Sequence, residues 1–125
     1  MMDTWTRKSG YDTCLQAASD QLNASGTEVH LIRFRDGKFC HFHKTTTEFF
    51  HFTKGIGRVV LNGEEQPLYP GTSLVIKSYD VHTFMNDSDE ELLEAVMVKV
   101  NTHPQDTFVC DPPNRNLPKD GFFLR

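Results

Sequence analysis

The stretch GKFCHFHKTTTEFFHFTKG, residues 37–55, decides how the rest of the chain is read. His41 and His43 stand two apart in a strand-like run. A pleated strand sends alternate side chains to one face, so both imidazoles point the same way, about 6.6 Å apart along the backbone. Lys44 to Thr47 can turn the chain and bring Glu48 back opposite His43, with Cβ atoms about 5 Å apart in a cross-strand pair. Further on, GTSLVIKSYDVHTFMN, residues 71–86, places His82 on a second strand-like segment. Two imidazoles, a carboxylate at hairpin distance and a later imidazole form a ligand set for one metal ion.

The spacing also carries a resemblance. His41-Phe42-His43, four residues, Glu48, six residues, Gly55 resembles the first cupin motif, and Gly71, ten residues, His82, three residues, Asn86 resembles the second. Two departures lie beside the motifs: Arg35 stands where the family usually has a glycine, and Lys77 and Tyr79 replace the usual proline and glycine before His82. The resemblance implies an all-β fold, an antiparallel jelly-roll β-barrel, in which His41, His43, Glu48 and His82 hold a divalent transition metal. Three imidazoles and a carboxylate suit Fe, Mn, Ni, Co or Zn, and affinity order does not choose among them. Residues 28–100 form the expected barrel, 1–27 a leader with a short helix, and 101–125 a tail packed on the barrel or on a dimer mate.

At 125 residues with a net charge of −4, the chain has room for one domain with one core. Its lysines and arginines are scattered, whereas phosphate binding needs concentrated positive charge, so no nucleic-acid role is expected. No apolar run reaches membrane-spanning length, and MMDTWTRKSG lacks the apolar segment of a signal peptide. A cytoplasmic, non-membrane protein is expected. Cys14, Cys40 and Cys110 are an odd set without C-x-x-C spacing, and read as reduced, buried thiols. Alternation turns Cys40 away from the face shared by His41 and His43.

The flanking sequence supplies the elements. Asp12 or Thr13 caps a helix whose Leu15, Ala18 and Leu22 fall near helical spacing, ended by residues 23–26. Val29 to Phe34 reads as a strand, and Arg35-Asp36-Gly37 as a hairpin turn into the first motif. Phe49 to Thr53 alternates. Asn62-Gly63 is the clearest hairpin turn, since both positions tolerate positive φ. Residues 67–71 turn again, Ser73 to Ile76 leads toward His82, and Leu92 to Val100 closes the barrel. The apolar residues 121–124 are expected to pack on the barrel or on a second copy.

Phe39, Phe50, Phe52 and Phe84 share parity with the ligands, so the expected pocket is aromatic with few charged groups. It suits a small molecule with an apolar body anchored on the metal through oxygen. His30, His51 and His103 read as ordinary histidines, and the inward set offers no general acid or base. Lys77, Tyr79 and Asp80 are the titratable groups nearest the mouth. Oxygenase chemistry is the leading expectation; an isomerase, decarboxylase or lyase and a non-catalytic ligand-binding or sensor protein are the alternatives.

Overall fold

The computed structural model describes residues 4–110. The chain forms β1 (Thr6–Arg7), β2 (Tyr11–Ala17), α1 (Ser19–Leu22), β3 (Glu28–Phe34), β4 (His41–Phe42), β5 (Thr47–Lys54), β6 (Gly57–Leu61), β7 (Glu64–Leu68), β8 (Ser73–Ile76), β9 (His82–Asn86), β10 (Leu93–Val100) and β11 (Phe108–Val109). These strands make two antiparallel sheets, ordered β1-β2-β3-β10-β5-β8 and β11-β4-β9-β6-β7. This is the expected all-β jelly-roll arrangement. The inner faces meet over Ile32, Phe34, Phe50, Phe52, Val59, Leu68, Ile76, Phe84, Leu93, Ala95 and Met97. On β5 the period of two is direct: Glu48, Phe50 and Phe52 are buried while Phe49 faces out.

The Asn62-Gly63 turn joins β6 to β7 with Leu61 opposite Glu64, and its two residues have φ of 50° and 87°. Both central residues at positive φ match the right-handed twist of the flanking strands. Gly37 has φ of 71° and its Cα lies where any Cβ would strike the Phe84 carbonyl. It is the point at which the chain leaves the six-stranded sheet for the five-stranded one.

Several expected connections differ. Residues Tyr11–Ala17 form a strand, and the helix is confined to Ser19–Leu22, ended by Asn23 at φ 53°. Helical spacing of Leu15 and Leu22 misleads here, because both side chains are exposed. What holds β2 is Asp12, buried with Arg33 Nε donating to one carboxylate oxygen at 3.0 Å and Arg35 Nε to the other at 3.2 Å. The Arg33 guanidinium also lies 3.9 Å from the Trp5 ring centroid, which docks the start of the chain on this sheet.

Arg35-Asp36-Gly37 is not a hairpin into β4, since β3 pairs with β2 and β10. Nor do β4 and β5 form a hairpin. β4 pairs with β9 and β11, whereas β5 pairs with β10 and β8 in the facing sheet. β10 lies between β3 and β5 instead of closing a barrel. Short-range turn signals cannot distinguish a hairpin from a crossing between packed sheets.

The cysteine expectation is also overturned. Cys40 and Cys110 form a disulfide, while Cys14 is free and buried. The reason is register: β11 pairs with β4, placing Val109 opposite His41, and the next pair along brings the Cys40 and Cys110 Cα atoms to 5.6 Å. An odd count leaves one thiol over but does not keep the other two apart. The expected packing of residues 112–125 lies outside the described residues.

Candidate metal centre

His41 on β4 and His82 on β9 are direct register partners. His43 follows β4 by one residue, and Glu48 arrives from β5 of the facing sheet. The carboxylate therefore meets the imidazoles across the interior, not along a hairpin. All four are buried.

Each imidazole is oriented by its Nδ1, which donates to a backbone carbonyl: His41 to Phe39 at 3.0 Å, His43 to Asp106 at 2.8 Å and His82 to Asp80 at 2.9 Å. A carbonyl only accepts, so each ring carries its proton on Nδ1 and, when neutral, presents the Nε2 lone pair. One nitrogen from each ring lies within 4.8 Å of the others. Glu48 Oε1 stands 3.4 Å from His43 Nε2 and 3.7 Å from His82 Nε2. These separations exceed the roughly 2.7–2.9 Å of a charge-assisted hydrogen bond. They suit donors grouped around a common ion. Among the described residues, His43 Nε2 and His82 Nε2 are buried without a hydrogen-bond partner, a costly state that a cation relieves. The three-histidine cluster can hold a metal, and its carbonyl-tied Nδ1 atoms are the outer contacts such ligands need.

The electrostatics agree. Burial, reinforced by His82, lowers the pKa of His41 to about 3. Burial likewise lowers that of His82. For His43 burial acts downward, but the Glu48 carboxylate outweighs it and the net shift is upward. Burial opposes the charge on Glu48, yet His43 and His82 hold its carboxyl at about 2.

Asp106 escapes a sequence reading altogether. Its carboxylate accepts the Lys44 N–H at 2.8 Å, the Thr45 N–H at 3.0 Å and the Thr46 N–H at 2.8 Å, together with the hydroxyls of Thr45 and Thr46 at 2.9 and 2.8 Å. Its own carbonyl receives His43 Nδ1. One residue thus shapes the loop between His43 and Glu48 and aims His43. Against the cost of burial, the Lys44 and Thr46 donors hold its carboxyl well below the usual range. The run of three threonines beginning at Thr45 is the local signal, but nothing near it in sequence names the acceptor.

The cluster opens on a cavity of about 280 Å³. Phe39, Phe50 and Phe84 line it, with Phe39 stacked on His41 at 4.4 Å between centroids. Phe52 lies behind them in the core. The wall is more polar than expected: Lys8, Tyr11, Glu28, His30 and Lys99 also line the cavity. His30 lies on this wall with its Nε2 2.9 Å from Glu28 Oε1. Glu28 and His30 share strand parity with Ile32 on β3, and Lys99 with Met97 on β10, with Glu28 and Lys99 near the strand ends. Tyr11 sits on the strand mistaken for a helix, and burial together with the Glu48 charge pushes its pKa to about 12. Lys77, Tyr79 and Asp80 are not part of the cavity lining. Asp80 accepts from Lys77 N and from Asn62 Nδ2, and Tyr79 N donates to His43 O, so that loop braces the site from outside. His51 bonds Ser73 Oγ at 2.8 Å on the outer face.

Residues 35–99 match the family model described as Cupin domain. No curated protein matches the chain. Among solved structures, the chain is similar to Streptomyces PAC13 with uridine, at 17% identity over 88% of each chain and a TM-score of 0.68. That protein is described as a nucleoside dehydratase. A sugar phosphate isomerase of the cupin superfamily from Silicibacter pomeroyi is similar at 24% identity over 74% of this chain and 60% of its own, with a TM-score of 0.59. Ectoine synthase from P. lautus is similar at 14% identity over 83% of this chain and 78% of its own, with a TM-score of 0.68. At these identities the likeness is one of fold.

Proposed function

The chain belongs to the cupin family, and from that premise we propose that it is a metal-dependent lyase or isomerase of a small polar molecule, with His41, His43, Glu48 and His82 as metal ligands. The observation that carries this reading is the convergence of three carbonyl-oriented imidazoles and a carboxylate at the base of a cavity whose wall holds further titratable groups. A divalent ion there supplies Lewis acidity, polarising a substrate oxygen. Phe39, Phe50 and Phe84 wall one side, while Tyr11, kept protonated by its surroundings, offers its hydroxyl as a hydrogen-bond donor to a bound molecule. The oxygenase expectation rested on an apolar, aromatic pocket, and Tyr11, Glu28, His30 and Lys99 make the wall of the cavity polar. Non-oxidative chemistry is accordingly preferred. The PAC13 and isomerase neighbours carry chemistry of this kind in their names. A homodimer is part of the same reading, tested by sedimentation.

The test is elemental analysis of protein purified without added metal or chelator, then reconstitution with Fe(II), Mn(II), Ni(II), Co(II) and Zn(II). Each form is incubated in D₂O with hydroxy acids, sugars and nucleosides, and followed by NMR for deuterium uptake, double-bond formation or epimerisation. About one equivalent of metal and metal-dependent turnover support the proposal. Metal binding with substrate-dependent oxygen uptake and no proton exchange restores the oxygenase. No metal after reconstitution overturns the reading.

A further inference from the structure

The register of the six-stranded sheet sets three ionisable residues in one row: Lys99 on β10 is opposite Glu28 on β3 and opposite Glu48 on β5. All three line the cavity. Neither acid takes the lysine. Glu28 pairs with His30 at 2.9 Å, and Glu48 with His43 and His82 at 3.4 and 3.7 Å. Among the described residues the Lys99 ammonium makes no ion pair or side-chain hydrogen bond and acts on Glu48 through its charge alone. Tyr11, whose ring is packed between Phe34 and Phe39 at centroid distances of 5.9 and 6.2 Å, likewise has no partner for its hydroxyl among the described residues.

We propose that the substrate carries a carboxylate that is bound off the metal by the Lys99 ammonium, with the Tyr11 hydroxyl as a second donor. The proposal rests on the metal-centred reading above and names the substrate class within it: small 2-hydroxy or 2-oxo acids. The donors without protein acceptors are the first reason: the Lys99 ammonium and the Tyr11 hydroxyl belong to cavity-lining residues and can meet an acceptor that enters there. Charge is the second. With a divalent ion in place and the imidazoles neutral, the ion and the two lysines among the described residues of the wall exceed its two glutamates by two positive charges, and a net positive cavity attracts an anion. Lys99 serves specificity, selecting substrates that carry the carboxylate.

The experiment uses the Co(II)-loaded full chain, whose visible spectrum reports ligand binding. Glycolate is titrated against glycolamide, its uncharged counterpart, and against inorganic phosphate, for the wild type, Lys99→Met, Lys99→Arg and Tyr11→Phe. Glycolate is expected to bind the wild type more tightly than glycolamide. Lys99→Met should lose about tenfold or more in glycolate affinity, the cost of one hydrogen bond to a charged group. Its glycolamide and Co(II) affinities should stay within about twofold; Lys99→Arg should recover most of the loss, and Tyr11→Phe should lose less than Lys99→Met. Unchanged glycolate binding in Lys99→Met overturns the proposal. So does equal wild-type binding of glycolate and glycolamide, or preference for phosphate. Parallel loss of Co(II), glycolamide and glycolate binding also overturns it, and makes Lys99 a counter-ion of Glu48. Failure of the wild type to take up cobalt sinks the metal reading instead. Calorimetry on the metal-free chain then decides the Lys99 question alone, with Lys99-independent glycolate binding, or none, overturning it.

Discussion

Breaking the Cys40–Cys110 bond should be the largest single loss of stability available outside the aromatic and aliphatic cluster between the sheets. The two cysteines are 70 residues apart in sequence, and closing a loop of that length restricts the unfolded chain by about 4 kcal/mol. Domains of this kind are stable by only about 5–15 kcal/mol, so reduction should remove a large share of the total. The folded side offers little compensation, because β11 has two residues and is joined to β4 by a two-pair ladder. Equilibrium urea unfolding with and without reductant measures the effect. With a slope of about 1.5 kcal/mol per molar, the midpoint should fall by about 2–3 M. Cys40→Ser with Cys110→Ser should match the reduced wild type and ignore reductant. Thiol titration of the unreduced, denatured chain should find Cys14 alone. Three reactive thiols, or a loss below about 1 kcal/mol, would refute the reasoning.

Other perturbations separate positioning from binding. Asp106→Ala removes the acceptor of five hydrogen bonds, and should cost about 3–4 kcal/mol in urea unfolding, given that each orphaned donor costs about 1–3 kcal/mol and water recovers part of it. It should also weaken metal binding about 10–100-fold by calorimetry, since outer contacts hold ligands in place. His82→Ala should abolish stoichiometric metal retention while circular dichroism stays that of the wild type; full metal occupancy would show that the wrong site has been chosen. Asp12→Asn breaks a buried contact to Arg33 and Arg35, and should cost about 2 kcal/mol at neutral pH, less than for a fully buried pair because both arginines reach solvent. Opposed by burial but outweighed by the two arginines, the Asp12 carboxyl lies below its ordinary value. Its contribution is therefore complete above the unfolded carboxyl pKa of about 3.9 and disappears as pH falls through the lower folded value. A wild-type advantage that persists undiminished at pH 2 would contradict this.

What the sequence made legible was governed by period and spacing. His41 and His43 share a face because they are two apart, Asn62-Gly63 turns because both residues accept positive φ, and Phe50 and Phe52 point inward with Glu48. Sheet membership was not legible. The loop at residues 44–46 looks like a hairpin turn, yet it crosses between sheets, and only a carboxylate some 60 residues later, Asp106, explains its shape. β2 was hidden by its own polar residue: Asp12 is buried only because Arg33 and Arg35 come from the next strand, so local alternation could not forecast it. The cavity's charged wall escaped for a related reason. Glu28 and Lys99 sit at strand ends, where solvent is the default expectation, and the row that unites them exists only once β3 and β10 pair.

The four proposed ligands are divided between the two sheets, with Glu48 on one side and the histidines on the other. An ion held there is a strut as well as a reagent. The sheets are otherwise joined largely by aromatic and aliphatic packing, which resists separation without fixing distance, whereas coordination bonds tolerate only small changes in length. Loading should therefore make β5 and β9 open together, and slow their amide hydrogen exchange in concert. The vibrational freedom of the two layers, and with it the width of the cavity between them, would then be set by the occupancy of a single point.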